Sequence, residues 1–368
     1  MKTPKIKLPS IRSRNSLVTS FLALIFSLLL GMVVILISGY SPIESYKAIF
    51  GFSLSTVKGF ALSLSQATPL MFTGIAFALA YRVRLINTGA EGQLFIGAMA
   101  AALVGVYVHN LPGLAHVSLA LLAAFVSGGI VAGLVAIARV YTGSNEIILT
   151  LMLNQIIIFF TSYLANGPLK PPSSGVGQTE RILESAQLPR LIPQTQLTSA
   201  LFLVIAVAII IQFILDKTVF GYEIKVTGQN LRAAQVAGIN TSRVSIITFS
   251  LSGAVAGLGG AAMVLGVNYR FVEGFSPGYG FAGISIAALA AYSPLGVIPS
   301  ALLIGILRAG TITLSRTTSI PVELVDLIQV LVIIFVAAPK LTQSVVKIFN
   351  SLTHKFLKNA EPVGGENS

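Results

Sequence analysis

The sequence predicts an all-α integral membrane protein with about ten transmembrane segments, two of them a short broken helix pair. Three observations predict it. Of 368 residues, 54% are hydrophobic and only 10% charged, and the mean hydropathy is +0.86, which no water-soluble domain of this size carries on its surface. Apolar runs of about 20 residues, enough to cross a hydrocarbon layer, recur along the chain between polar or Gly- and Pro-rich breaks. Lys and Arg cluster on alternate connections, the asymmetry that sets orientation in a membrane.

Residues 1–16 are a basic N-terminus carrying Lys2, Lys5, Lys7, Arg12 and Arg14. The span Leu17–Gly39 is too long for a signal peptide and no Ala-x-Ala site follows, so it reads as an uncleaved anchor at the head of a membrane domain over 17–339. In the next span, Phe60–Tyr81, the residues Ser63, Ser65, Gln66 and Thr68 form a polar girdle, and Pro69 should kink the helix and free a carbonyl beside a cavity.

Asn87–Val108 opens with Asn87-Thr88-Gly89-Ala90-Glu91-Gly92-Gln93. Glu91 falls roughly 6 Å inside the cytoplasmic end of its span. A carboxylate there is either poised at the inner mouth of a pathway or, with Thr88 at capping-box spacing, a favourable first-turn acid. Leu114–Ala138 follows, and then Glu146–Leu164, where Asn145 caps the helix and Glu146 lies in its first turn. Deeper in that span, Asn154 and Gln155 precede Phe159, Phe160 and Tyr163. Amides beside aromatics suit a neutral polar ring solute, and they suit hydrogen bonding between helices equally.

The excursion at 165–197 contains Gly167, Pro168, Pro171, Pro172, Gly175 and Gly177, and aperiodic loops of that length are functional or flexible. Past the span Ser199–Leu215, the polar loop 216–243 holds a short helix: Asn230 caps it, Ala233, Val236 and Ala237 share one face, and Gly238 supplies a left-handed stop. Two turns do not persist alone in water, so neighbouring spans, a second protein or the lipid headgroups must hold it. After Val244–Val267, the run Phe281–Gly310 is too long for one helix and contains Pro294, Gly296 and Pro299, which indicates two helices joined by a turn, entering and leaving by one face. Val322–Ala338 and a tail at 340–368 complete the chain.

With this topology 16 of the 24 Lys and Arg lie on the N-terminal side of the membrane and eight opposite. Treating 281–310 as one span lowers the ratio to fourteen against ten. Both termini are therefore expected in the cytoplasm, and the net charge of +12 reports topology, not nucleic acid. With no cysteine and with His109, His116 and His354 scattered near span ends or in the tail, no metal site is expected. No Gly-x-x-x-x-Gly-Lys-Ser/Thr occurs, so the chain has no P-loop. Nor are His, Cys or carboxylate pairs set at catalytic spacing, which argues against an enzyme.

The segments 87–93, Asn145-Glu146-Ile147-Ile148 with Met152-Leu153-Asn154, Asn166-Gly167-Pro168-Leu169 with Gln178-Thr179, the 228–240 helix, and Ala291-Tyr292-Ser293-Pro294-Leu295-Gly296 before Arg308-Ala309-Gly310 together resemble the nucleoside-type permeases of ATP-binding-cassette (ABC) importers. The resemblance runs nearly the length of the chain, and it departs at Asn145, where some members carry histidine. It implies a type II importer-like permease in a bacterial plasma membrane. The partners implied are an ABC ATPase that binds ATP and Mg, a second related permease or a second copy, a lipid-anchored extracytoplasmic solute-binding protein, and membrane lipid. No cofactor is implied in this chain. The short helix, with Gly228, Asn230, Arg232, Ala233, Ala234 and Gly238, resembles the coupling helix that seats in the ATPase. The expected solute path comprises Gln66, Thr68, Asn154, Gln155 and Phe159. Simple-sugar permeases for ribose or galactose are the nearest alternative, and a secondary carrier using Glu91 as a proton site is a more distant one.

Overall fold

The structure, a computed structural model, describes residues 25–26 and 29–317. The basic N-terminus, residues 17–24 and 27–28 of the first expected span, the span 322–338 and the tail lie outside the described residues. Eleven α-helices are named here: α1 (Pro42–Ser55), α2 (Val57–Arg82), α3 (Ala90–Tyr107), α4 (Gly113–Thr142), α5 (Glu146–Asn166), α6 (Ala200–Lys217), α7 (Val219–Gln229), α8 (Leu231–Val236), α9 (Thr241–Met263), α10 (Tyr279–Leu289) and α11 (Pro294–Thr317). A π-helical turn, Val264–Asn268, extends α9.

Six helices among the described residues are long and apolar enough to cross a membrane: α2, α3, α4, α5, α6 and α9 with its extension. They coincide with the six spans expected between Phe60 and Val267. The bent pair α10 and α11 makes seven if it counts as one span. The chain turns through 118° at the break, where Ala291 and Tyr292 adopt φ of 49° and 58°. The second limb is not short, however, since α11 runs for 24 residues straight through Pro299. Pro299 lies early in that helix, so the ring costs it one backbone bond near the start and leaves the later turns intact.

Helix α1 was not foreseen. Its sequence signal is Ser41 before Pro42, with Glu44 three residues on: the Ser41 hydroxyl accepts from the Glu44 amide at 3.4 Å, and proline at the first position suits a helix start. The Ser53 hydroxyl donates to the Ile306 carbonyl, which fixes α1 against α11.

The core centres on α9, packed between α2, α3 and α4. Glycine allows that closeness: a Cβ at Gly257 would lie 2.4 Å from the Ala124 carbonyl oxygen of α4, and one at Gly260 only 1.9 Å from that of Leu94 on α3. With lipid as apolar as leucine, close backbone packing of this kind is what holds helices together.

The excursion after α5 is ordered against the connection between α9 and α10. The Thr179 amide donates to Phe271 O, Ile182 to Tyr269 O, Leu188 to Leu265 O and Glu273 to Gly177 O, all within 3.0 Å. The rings and guanidinium groups stack as well, with Arg181 and Arg190 each 5.4 Å from the centre of the Tyr269 ring.

Candidate functional site at the helix break

Helix α10 begins inside the bundle, and its start is where polar side chains converge. Its first carbonyl, Tyr279 O, accepts from the Thr73 hydroxyl of α2 at 2.9 Å. The Tyr279 hydroxyl donates to Gln66 Oε1 at 2.9 Å. The amide of Gly280 donates to Glu91 Oε2 at 2.5 Å, and a Cβ on Gly280 would stand 2.3 Å from the Glu91 nitrogen. Ser276, the Gly278 backbone and Arg308 of α11 all lie near enough to act on the charge of the Glu91 carboxylate. The Arg308 guanidinium carbon is 4.8 Å from the centre of the Tyr279 ring, within cation–π range. Phe95, Phe271 and Phe275 adjoin this set, the Phe95–Phe275 ring centres being 4.8 Å apart.

Glu91 and Tyr279 are buried, while Gln66, Phe275, Ser276 and Arg308 are half-buried. The cluster therefore reaches the surface of the chain between α2, α10 and α11. A carboxylate, a guanidinium and an amide at this depth are expensive against lipid. The face that carries them belongs against protein or a polar pathway.

Glu91 does not form the expected capping box. Gly89 precedes α3 and gives no side-chain cap, and the Thr88 hydroxyl instead lies 2.5 Å from that of Thr150 on α5. The carboxylate serves the first amides of α10, a helix nearly 190 residues later in the chain, where negative charge at a helix N-terminus is favourable. By contrast, Asn145 accepts from the Ile147 amide as the cap of α5, and Glu146 pairs with Arg139 of α4 at 2.9 Å, closing the turn through Gly143 at φ 69°.

The expected path residues do not come together. Gln66 is in the cluster. The Thr68 hydroxyl bonds its own helix at Leu64 O, beside a cavity of about 10 Å³ bounded also by Ser65, Pro69 and Thr198, space for about one water. Asn154 is buried away from the cluster, with Oδ1 accepting from the Gly92 amide and Nδ2 donating to Thr88 O, both at 2.7 Å. Both bonds join α5 to the start of α3, the contact between helices that was the other reading of that amide. Gln155 and Phe159 lie on the exposed face of α5, apart from the cluster. Sequence reasoning missed Phe275, Ser276, Tyr279 and Arg308. Arg308, a cation within an apolar run, and Gly278-Tyr279-Gly280 before another such run were the available signals.

The loop 216–243 holds two helices, not one. Asn230 ends α7 and caps α8, accepting from the amides of Arg232 and Ala233. Ala234 is fully buried, whereas Arg232, Ala233, Ala237 and Gly238 are exposed and Val236 is 90% exposed. Gly238 takes the expected left-handed conformation, φ 81°. Gly228 presses on the end of α2, where a Cβ would stand 1.8 Å from Arg82 O, and its carbonyl accepts from Arg84 Nε at 2.7 Å.

Long apolar helices around a polar, broken hairpin, with a capped amphipathic loop at one end, define a multi-pass membrane permease. Residues 59–337 match the family described as branched-chain amino acid transport system / permease component, and the chain belongs to that family. It is 31% identical over 331 residues to the guanosine ABC transporter permease protein NupP of Bacillus subtilis (strain 168), covering 89% of this chain and 95% of NupP. It is 30% identical over 325 residues to the nucleoside ABC transporter permease protein NupB of Lactococcus lactis subsp. cremoris (86% and 89%). The glucose ABC transporter permease protein TsgB13 of Haloferax volcanii is 34% identical over 327 residues (86% of each). These relatives are permease subunits, and this chain is a transport subunit, not an enzyme. Such a permease implies a separate ATPase and a second permease.

Proposed function

We propose that this chain forms half of the path by which an ABC importer of a bacterial plasma membrane takes up nucleosides, and that the solute passes the face bearing Gln66, Phe275, Ser276, Tyr279 and Arg308. The observation that carries the reading is the polar cluster at the start of α10. It offers acceptor and donor groups, a tyrosine hydroxyl and adjoining aromatic rings, and a neutral ring solute with hydrogen-bonding edges needs both. Broken helices near the middle of a membrane are a recurrent place for such contacts.

In this reading ten segments span 17–339, with 1–16 and 340–368 in the cytoplasm and 165–197 on the outer side. The permease pairs with a related permease. ATP and Mg are held by the ATPase, which seats the exposed face of α8, and a lipid-anchored binding protein delivers solute. ATP binding draws the two loops together and changes the open side of the path. The chain itself needs no cofactor. A simple-sugar path is the second reading, favoured by the 34% identity to a glucose permease.

The test is uptake by the reconstituted assembly with Gln66→Leu and Tyr279→Phe. Nucleoside uptake should fall while the amount of assembled complex stays normal. Normal uptake in both variants overturns the placement of the path, and saturable uptake of glucose but not guanosine overturns the nucleoside assignment.

A further inference from the structure

The cluster and the α7–α8 loop lie at opposite ends of α10, and a continuous set of contacts joins them. At the loop, Gly228 touches the backbone of Arg82 with no room for a side chain, and Arg84, held at φ 60°, grips the Gly228 carbonyl. At the same end of α2, Arg82 Nη2 donates to Tyr292 O at 3.0 Å, and the Tyr81 and Tyr292 rings stack with centres 3.9 Å apart and planes 16° off parallel. Tyr292 lies in the turn between α10 and α11, where two successive non-glycine residues are left-handed. For bulky side chains that conformation persists only where surrounding contacts impose it.

Beyond the turn, α10 is an eleven-residue rod about 16 Å long. Its far end is bounded by Gly274 and Gly278 at φ 67° and 80°, conformations that glycine adopts and leaves easily. One end of the rod is thus clamped to the loop-bearing end of α2, and the other, entered through two left-handed glycines, is hydrogen-bonded into the cluster of Glu91, Gln66 and Tyr279.

We propose that Arg82, together with the Tyr81–Tyr292 stack, is a positioning strut that carries displacement of the α7–α8 loop into the α10–α11 turn and so moves the start of α10 against Glu91. The inference rests on the reading of the α7–α8 loop as the ATPase-facing surface. It assigns Arg82, Tyr81 and Tyr292 a role in transport although none of them touches solute or ATPase.

The test uses the complete assembly of both permeases and ATPase in lipid, with ATP hydrolysis, solute uptake and a probe at α10 read together. The chain has no cysteine, so a single Phe281→Cys at the exposed start of α10 carries an environment-sensitive label. With Arg82 intact, ATP should change the label signal. Arg82→Met keeps the stem and removes the donor: uptake per ATP hydrolysed should fall about tenfold, with hydrolysis retained and the label no longer responding to ATP. Arg82→Lys and Tyr292→Phe should recover most of the response, the first by restoring a donor and the second by keeping the stack. A merely structural role lowers hydrolysis, uptake and assembly in proportion, and that result overturns the strut, as does an unchanged uptake-to-hydrolysis ratio in Arg82→Met and Tyr292→Ala. Val236→Glu on the exposed face of α8 separates the two levels. If it leaves coupling intact, the ATPase-facing reading fails; if it uncouples while Arg82→Met does not, only the strut fails.

Discussion

Asn154 illustrates what one residue in a membrane span can disclose. Its position after an apolar stretch marked it as costly and therefore used, but a side-chain amide serves a solute or a backbone with the same atoms. Only its partners decide, and both are backbone groups of the α3 start. Asn154→Leu should accordingly reduce assembled complex and its melting temperature and leave uptake per assembled complex near normal. Hydrogen bonds between helices contribute about 0.6 kcal/mol on average and up to about 1.7, and two are lost. Gln155→Leu, one residue away on the exposed face, should change neither quantity. Quantitative blotting beside uptake checks both, and an uptake defect confined to Asn154→Leu at full abundance would return that amide to the path. Glu91 carries the same lesson. Its burial cost was legible, while its partner at Gly280 was not, because nothing local to either residue links them.

At the scale of elements, apolar length was sufficient for the six spans from α2 to α9, since a bilayer leaves a backbone few alternatives to a helix. It failed where length is not the controlling quantity. Helix α1 is set by a cap and by packing on α11, and the division of α7 from α8 by Asn230, which turns one helix into the next. The excursion after α5 was legible only as an aperiodic loop. Its order comes from the connection to α10, and one of the ties is ionisable: Glu273 accepts from the Ser162 hydroxyl and, at 2.7 Å, from Asn166 Nδ2. Those bonds, Ser162 first, hold the Glu273 carboxyl below the usual carboxylate range. Bonds that favour the ionised form contribute stability above the ordinary carboxylate pKa and lose it as pH falls through the depressed value. Protease nicking between Gly167 and Gly177 should therefore rise as the pH is taken below about 4, and Glu273→Gln should nick more readily than the parent at neutral pH. A parent nicking rate that stays flat across that range in a folded protein would remove the tie.

For the whole molecule, the decisive unknown is on which side each end lies, and the argument turns on the hairpin. The segment before α10 is paired to the excursion after α5, so both belong to one side. Helix α10 runs from there toward the end of α2 that carries Arg82, and α11 returns, the Ser53–Ile306 bond placing it beside α1. A hairpin that returns to its side of origin leaves α11 opposite the α7–α8 loop, so the proposed tail on the loop's side requires one crossing by the apolar run at 322–338, which lies outside the described residues. The basic residues favour that side as the cytoplasm. Single cysteines in this cysteine-free chain test the whole arrangement. Ser173→Cys, exposed in the excursion, should react with an impermeant maleimide in intact cells, whereas Gln229→Cys at the end of α7 and Ser351→Cys in the tail should react only after the cells are opened. Labelling at Ser351 but not at Gln229 from outside would mean that 281–317 and 322–338 together cross an even number of times, placing the tail opposite the loop and removing the ten-segment topology. Labelling at Gln229 with protection at Ser173 would invert the protein, and with it the side from which an ATPase could reach α8.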